Sequence, residues 1–377
     1  NTRSHLMLVQ DLEFTNYKNL QNDKITFGND VNIIYGNNAQ GKTNLIEAIW
    51  LFSGNRSFRG VKDSEYILFG QRNAQLALNF MSQERLQQSN ILFSLNANRT
   101  KCSRYVTVNE IPQKSMSGLI GKLSCVIFSP THLSLVKGSP AERRKFLNAA
   151  VYQIKPSYGK VLSEFNEALI QRNALLKDIP KNSSLLDTLD IWDKKISNLA
   201  GIIIYDRLKY ISILNKITRP IYSGMSSEKE TIVITYSQNF NKSATASEIS
   251  EFVFKQIQSN RTQDLRLGFT TIGPHRDDID FFINDIPSKS FASQGQQRSI
   301  VLALKLAEAD ILCQKFKEPP VMLLDDVMSE LDELRQNYIL NSIRAKQIFI
   351  TCCEPSTVTR LITGKVYNID NGKVREE

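Results

Sequence analysis

Residues 36–43 read Gly-Asn-Asn-Ala-Gln-Gly-Lys-Thr. Two glycines five apart, followed by Lys-Thr, fit a phosphate-gripping loop. Glycine lets backbone N–H groups turn inward around a polyphosphate, and a following helix adds the partial positive charge of its N-terminus. On this reading Gly36, Asn37, Asn38, Ala39, Gln40, Gly41 and Asn44 line the phosphates, Lys42 reaches the β and γ groups, and the Thr43 hydroxyl ligates Mg²⁺. A second acidic feature lies far downstream, where the apolar run 321–324 ends in Asp325-Asp326. A buried strand can deliver a carboxylate beside phosphates, so Asp325 suits Mg²⁺ and Asp326, one residue on, can polarise an attacking water.

The setting supports the letters. Residues 31–35 form an apolar run that predicts a buried strand, and 43–52 predict a helix with Leu45, Ile49 and Phe52 on one face. Segments 9–14, 24–27, 76–80, 91–95 and 105–108 read as further strands, with Asn109-Glu110 as a hairpin turn. After Pro140 the pattern becomes helical to about residue 220, broken at 180–184. A strand at 231–236 and a helix at 247–259 follow. Strand character returns near 265, with Ile279, Phe281 and Ile283 alternating. Helices at 293–312 and 331–344 and strands at 321–324 and 347–351 complete the pattern. The division expected is 7–136 and 263–377 for the nucleotide-binding part, with 137–262 as a mainly helical insert.

Charge points to a second anionic partner. The 377-residue chain carries a formal net charge of +9, and between 137 and 219 fifteen basic residues face eight acidic ones. Nucleic acid is the leading polyanion for such a surface. The five cysteines show no Cys-x-x-Cys pair and no Cys/His ligand spacing. Structural zinc and a disulfide framework are therefore not expected, and a reducing cytoplasm is. No apolar run approaches the roughly 20 residues of a membrane-spanning helix. Residues 1–6, including His5, read as an expression scar with Met7 as the native start.

Two further segments narrow the class. Ser293-Gln294-Gly295-Gln296-Gln297-Arg298 opens a helix, and Ser329-Glu330-Leu331-Asp332 follows the paired aspartates. The first resembles the signature motif of ABC-type ATPases and the second their D-loop. That resemblance implies ATP as the nucleotide, with Ser293, Gly295 and Gln296 meeting the γ-phosphate held by an opposite subunit and Asp332 assisting. One phosphate loop and one signature per chain then imply a homodimer with two composite sites.

The match extends. Gly36 through Ile49, Arg56-Ser57-Phe58-Arg59-Gly60, Phe128-Ser129-Pro130, Leu135 through Pro140, Arg143 through Leu147, Gly273 through Asp278, the 293–298 segment and 323–332 together resemble the RecF family. These are bacterial recombinational-repair proteins whose ATPase head is related to that of the SMC proteins. The resemblance implies an α/β ABC-type head, a mixed phosphate-loop sheet plus an antiparallel β subdomain, with an inserted helical arm. It also implies ATP- and Mg²⁺-dependent dimerisation, weak ATP hydrolysis stimulated by DNA, and clamping of gapped or duplex DNA without sequence preference. The expected partners are RecR and RecO, acting to load RecA at single-strand gaps and stalled forks. Arg143, Arg144 and Lys145 are the DNA-contact candidates. Arg56 and Arg59 reach either phosphate, a partner subunit or a surface carboxylate. His275 and Arg276 either serve a site or, more ordinarily, His275 is buried against Asp277 or Asp278. Cys352 stands where ABC transporters carry a switch histidine, which leaves Thr351 or a neighbour to supply a polar contact. Asp326 stands where they carry glutamate.

Other readings remain. A transporter ATPase subunit, or another SMC-like chromosome-maintenance ATPase, shares the core motifs. The long basic insert between loop and aspartates argues against the transporter. A kinase or GTPase is disfavoured because Asn215-Lys216-Ile217-Thr218 lacks the aspartate of a guanine-reading motif.

Overall fold

A computed structural model describes residues 6–226, 228–238, 240, 243–343 and 346–377. Residues 1–5, and Arg344 at the expected end of the 331–344 helix, lie outside the described residues. The chain divides into two compact units, Asn1–Ser134, Ile217–Thr231 and Ser293–Glu377 forming the first, and Leu135–Lys216 with Ile232–Ala292 the second.

The first unit holds two six-stranded sheets. One is antiparallel, in the order Asp23–Thr26, Leu8–Thr15, Asn73–Ser82, Arg85–Leu95, Cys102–Val108, Ile111–Gln113. Its strands alternate buried and outward positions, as one-sided sheets do. Asn109 and Glu110, with φ of 49° and 66°, turn the last pair. The other sheet runs Lys373–Glu376, Lys365–Asp370, Val31–Tyr35, Ile348–Cys352, Val321–Leu324, Cys125–Phe128. The last five of these pair in parallel with one another. Cys125–Phe128, Val321–Leu324 and Ile348–Cys352 are buried at every position, the continuous apolar composition of strands covered on both faces.

The core explains why a helix is held so firmly behind the loop. Leu45, Ile49 and Phe52 of the helix Lys42–Leu51 and its end are fully buried, in one cluster with Leu12, Leu78 and Phe93 of the antiparallel sheet and Leu323, Phe349 and Tyr367 of the other. The helix is thus clamped from both sides.

The second unit is built on helices Pro140–Ile154, Pro156–Asp178, most of Leu186–Met225, Ala246–Ser259 and Arg261–Leu267. A three-stranded sheet, Ile286–Pro287, Ile279–Ile283, Ile232–Tyr236, completes it. This division differs from the expected insert of 137–262. Strand Ile279–Ile283 pairs in register with Ile232–Tyr236, Ile279 opposite Tyr236, which takes residues up to 292 into this unit. Residues 217–231 go instead with the first. Among the described residues no helix is long and apolar enough to cross a membrane.

Candidate nucleotide site

Five parallel strands end side by side, and the predicted residues lie at their carboxyl ends, the usual place for a ligand in such sheets. The loop after Val31–Tyr35 is shaped by two glycines. Gly36 has φ 155° and a Cβ there would stand 2.2 Å from the Ile369 carbonyl; Gly41 has φ 119° and a Cβ would stand 2.6 Å from Leu20. Between them Asn37, Asn38 and Ala39 are exposed, and Ala39 adopts a left-handed φ of 66°. Gln40 accepts from the Asn371 amide at 2.5 Å, so the turn of the C-terminal hairpin braces the loop. Lys42 is 4% exposed and curls back, its ammonium donating to the Gly36 carbonyl at 2.7 Å and the Asn37 carbonyl at 3.2 Å. The Cys353 sulfur lies 3.9 Å away. None of these partners is a carboxylate.

The loop is joined to the paired aspartates. The Thr43 hydroxyl donates to Asp325 Oδ1 at 2.9 Å. Thr351, on the strand between the two, donates to the same oxygen at 3.0 Å and accepts the Asp326 backbone N–H at 2.8 Å. Thr351, the residue before Cys352, thus ties the two aspartates to each other. Cys352 itself is an apolar neighbour, its thiol pushed up to about 11 by burial, with the Asp326 charge adding. Burial also pushes the Asp325 carboxyl above its usual range, with Asp326 reinforcing this and the two threonine bonds opposing it. A buried carboxylate beside a hydroxyl is a hard oxygen donor set, which suits Mg²⁺ shared with phosphates better than a softer metal. Among the described residues no group of three or more His, Cys, Asp or Glu side chains could hold a metal alone. Asp326 is only partly buried, at a left-handed φ of 52° that turns it off the strand end.

The signature segment lies on the helix Gln294–Phe316, whose N-cap is Ser293. A capping box closes it: the Ser293 hydroxyl accepts the Gln296 N–H at 3.2 Å and the Gln296 carbonyl oxygen accepts the Ser293 N–H at 2.8 Å. The Gln296 amide donates to Glu230 at 2.7 Å, and Glu230 accepts the Tyr222 hydroxyl at 2.8 Å. Asp332 accepts the Arg335 N–H at 3.0 Å and pairs with its guanidinium. The signature residues and the phosphate loop are not joined to each other by any of these bonds.

The RecF/RecN/SMC N terminal domain family matches residues 8–373. The chain is 41% identical over 348 residues to the DNA replication and repair protein RecF of Ruminiclostridium cellulolyticum, covering 92% of each. It is 37% identical to that of Agathobacter rectalis, covering 98% of this chain and 99% of the relative. The chain belongs to the RecF family. A solved recombination mediator protein, RecF-ATP in RecFOR pathway, superposes with a TM-score of 0.91 at 34% identity over the full length of both chains. The Smc head domain of Pyrococcus furiosus shares the fold, at a TM-score of 0.53 and 15% identity. The architecture is an SMC-like ABC ATPase head.

In this RecF-family chain the helix behind the loop carries a clamp that the motifs did not reveal. Glu47 is fully buried and takes bonds from Lys18 at 2.7 Å, from Arg59 Nε at 3.1 Å, and from the Ser57 hydroxyl. Burial pushes its carboxyl up, but Arg59, Lys18 and Ser57 outweigh that and hold it below its usual range. Arg59 also donates to Asn44 at 2.7 Å. Of the alternatives for Arg59, it takes the carboxylate, though an internal one. Arg56 is exposed, and its carbonyl accepts the Trp50 indole N–H at 2.9 Å.

Arg143 corrects an expectation. It is 1% exposed, and both Nε and Nη2 donate to Asp278 at 2.7 Å, with Nη1 on the Leu135 and Gly138 carbonyls. With four of its five N–H donors used and the side chain buried, it is not presented to DNA. Arg144 is partly buried and donates to the Asp277 carbonyl at 2.9 Å; Lys145 is exposed. His275 is likewise not paired with Asp277 or Asp278. Its Nε2 meets the Thr270 carbonyl at 3.1 Å and its ring tilts against Phe165. Asp277 accepts instead from Tyr236 at 2.6 Å and Gln238 at 2.7 Å. Burial, with nearby Arg276 and Arg144, lowers His275 to about 4. Arg276 is exposed and lies over the Phe269 ring at 4.9 Å.

Proposed function

We propose that this chain is an ATP-dependent DNA-binding repair protein that pairs with a second copy when ATP and Mg²⁺ are bound, and closes on gapped or duplex DNA. The observation that carries it is Lys42, a buried cation with only carbonyl oxygens and a thiol around it, beside a threonine and carboxylate already in contact. Such a cation is stabilised by an incoming polyanion, and the loop's backbone amides complete the cradle. Gly36, Asn37, Asn38, Ala39, Gln40, Gly41, Lys42, Thr43 and Asn44 hold the phosphates. Thr43 and Asp325 hold Mg²⁺, which when bound neutralises phosphate charge during transfer. Asp326 positions and deprotonates the attacking water. Ser293, Gly295, Gln296 and Asp332 act on the nucleotide of the other copy.

Hydrolysis is slow on this reading. Aspartate is a shorter base than glutamate, and each site needs two chains. Turnover resets the clamp rather than driving a continuous motor, and DNA stimulates it by favouring the paired state. The solved relative is a mediator of the RecFOR pathway, which supports RecR and RecO as partners, RecA loading at gaps as the outcome and the bacterial cytoplasm as the place. With Arg143 internal, DNA is met by exposed basic residues through phosphate, so binding is salt-sensitive and indifferent to sequence.

Sedimentation with ATP and Mg²⁺, with and without a gapped duplex, tests the reading. Dimers that need ATP and strengthen with DNA support it; single chains at saturating nucleotide overturn it. Ser293→Arg then separates the two halves. Its nucleotide affinity as a single chain should match the parent, and its pairing should be lost.

A further inference from the structure

Ala39 is the one residue of 36–43 other than glycine with a positive φ, 66°. A left-handed alanine is disfavoured by its own Cβ and persists only where its surroundings hold it. Here the hold is a relay of side chains. Asn19 Nδ2 donates to the Ala39 carbonyl at 3.1 Å, and Asn19 Oδ1 accepts from Asn44 Nδ2 at 2.6 Å. Asn44 Oδ1 accepts in turn from Arg59 Nη2 at 2.7 Å, and Arg59 is anchored on the buried Glu47. Every donor points the same way, from Arg59 toward the loop. An amide whose oxygen accepts a bond donates a stronger one through its nitrogen, so the anchored guanidinium reinforces the bond on Ala39. The backbone of Asn19 is fixed from the other side. Gln21 bonds the Gly372 carbonyl through its N–H at 2.8 Å and the Asn371 carbonyl through its side chain at 3.0 Å. Gly372, at φ 75°, packs so closely that a Cβ there would stand 2.0 Å from the Asn19 carbonyl.

What this does for the loop follows from the trans peptide. With the Ala39 carbonyl drawn toward Asn19, the Gln40 N–H points the opposite way. It meets the Asn37 carbonyl there, at a long 3.4 Å. The Lys42 ammonium converges on the same carbonyl at 3.2 Å. A donor with so distant a partner turns readily to a better acceptor, and a phosphate oxygen beside Lys42 would be one. The Asn44 side chain, by contrast, is used at both ends. That leaves its backbone N–H, in the first turn of the helix, for phosphate.

We infer that Asn19 is a positioning residue of the phosphate loop. By holding Ala39 left-handed it keeps the Gln40 N–H turned to the phosphates, and Asn44 serves the loop through it. This rests on the nucleotide reading proposed above.

A double-mutant cycle tests it. Asn19→Ala, Ala39→Gly and the double variant are compared with the parent for ATP affinity, turnover and thermal midpoint without nucleotide. Asn19 is exposed, so the midpoint of Asn19→Ala should barely move. Its ATP affinity should fall about threefold to tenfold, the range of one net hydrogen bond. Turnover at saturating ATP should stay within about twofold, because a donor that holds phosphate equally before and during transfer changes affinity rather than rate. Glycine adopts a positive φ without being held. Asn19→Ala made on top of Ala39→Gly should therefore cost less than about twofold in affinity. Unchanged ATP affinity in Asn19→Ala overturns the inference. So does an equal loss in both backgrounds, which would mean that Asn19 acts other than through Ala39, and so does a loss that merely follows a fall in midpoint. In all three cases the nucleotide reading stands. A parent that binds no ATP overturns that reading and this inference together.

Discussion

Buried cations occur in both units, and they differ in what surrounds them. In the second unit Arg172 is fully buried and bonds Asp193 at 2.6 Å, Asp264 at 2.7 Å and Thr270 at 2.8 Å. Arg143 has Asp278, and Arg207 fills its donors with Tyr158, Tyr236, Pro274 and Asn148. In the first unit Lys42 has two carbonyls and a sulfur. A buried charge with fixed partners holds helices in place; removing it strands its carboxylates. A buried charge with no counter-ion marks a place for something that binds. Composition alone would rank all of these together as basic residues available to DNA.

The contrast can be broken most directly by Lys42→Ala. Nucleotide binding and ATP-driven pairing should be lost while the thermal midpoint barely moves; a large fall in midpoint, measured without nucleotide, would make Lys42 structural instead. Arg172→Ala is the reverse case. Stranding Asp193 and Asp264 should destabilise its unit by about 3–5 kcal/mol, read in denaturant unfolding, with ATP affinity unchanged in the folded protein. Asp326→Asn sharpens the functional side. ATP binding and pairing should persist, turnover should fall by at least about a hundredfold, and the dimer should outlive that of the parent. Unchanged turnover would remove Asp326 from its role.

The smallest effect expected is one of pH. His275 has its folded value lowered from 6.5 to about 4. The unfolded ring therefore takes a proton that the folded one refuses. Its contribution is complete above pH 6.5 and is lost as pH falls toward 4, at about 1.4 kcal/mol for each pH unit crossed. Asp277, raised by burial, acts in the opposite sense. Comparison with His275→Phe isolates the histidine: the variant should lose less stability over that window. Equal slopes would refute the lowered value.

Much of the candidate nucleotide site was legible because its residues are local. A phosphate loop is specified by glycines and a lysine within eight residues, and a strand ending in acid by six. The helix after the loop announced itself through Leu45, Ile49 and Phe52. Other elements were not legible. Strand Cys125–Phe128 is four apolar residues without alternation, and the C-terminal hairpin 365–376 carries no strong pattern of its own. Each is a strand because a neighbour offers it hydrogen bonds, Cys125–Phe128 beside Val321–Leu324 and Lys365–Asp370 beside Val31–Tyr35. The Glu47 clamp was hidden for a related reason, since Lys18 and Arg59 approach it from opposite directions along the chain.

The sequence by itself determined the chemistry on offer: a phosphate loop, a pair of aspartates, a signature segment, and the resemblance that joins them. Each is a short run whose backbone geometry follows from its own residues. The tertiary structure alone decided which charges are spent and which are waiting. Arg143 meets Asp278 from 135 positions away, and Thr351 reaches both aspartates only because its strand lies between two others. Pairing of charges depends on which strand or helix comes next in space, and no spacing along the chain records it.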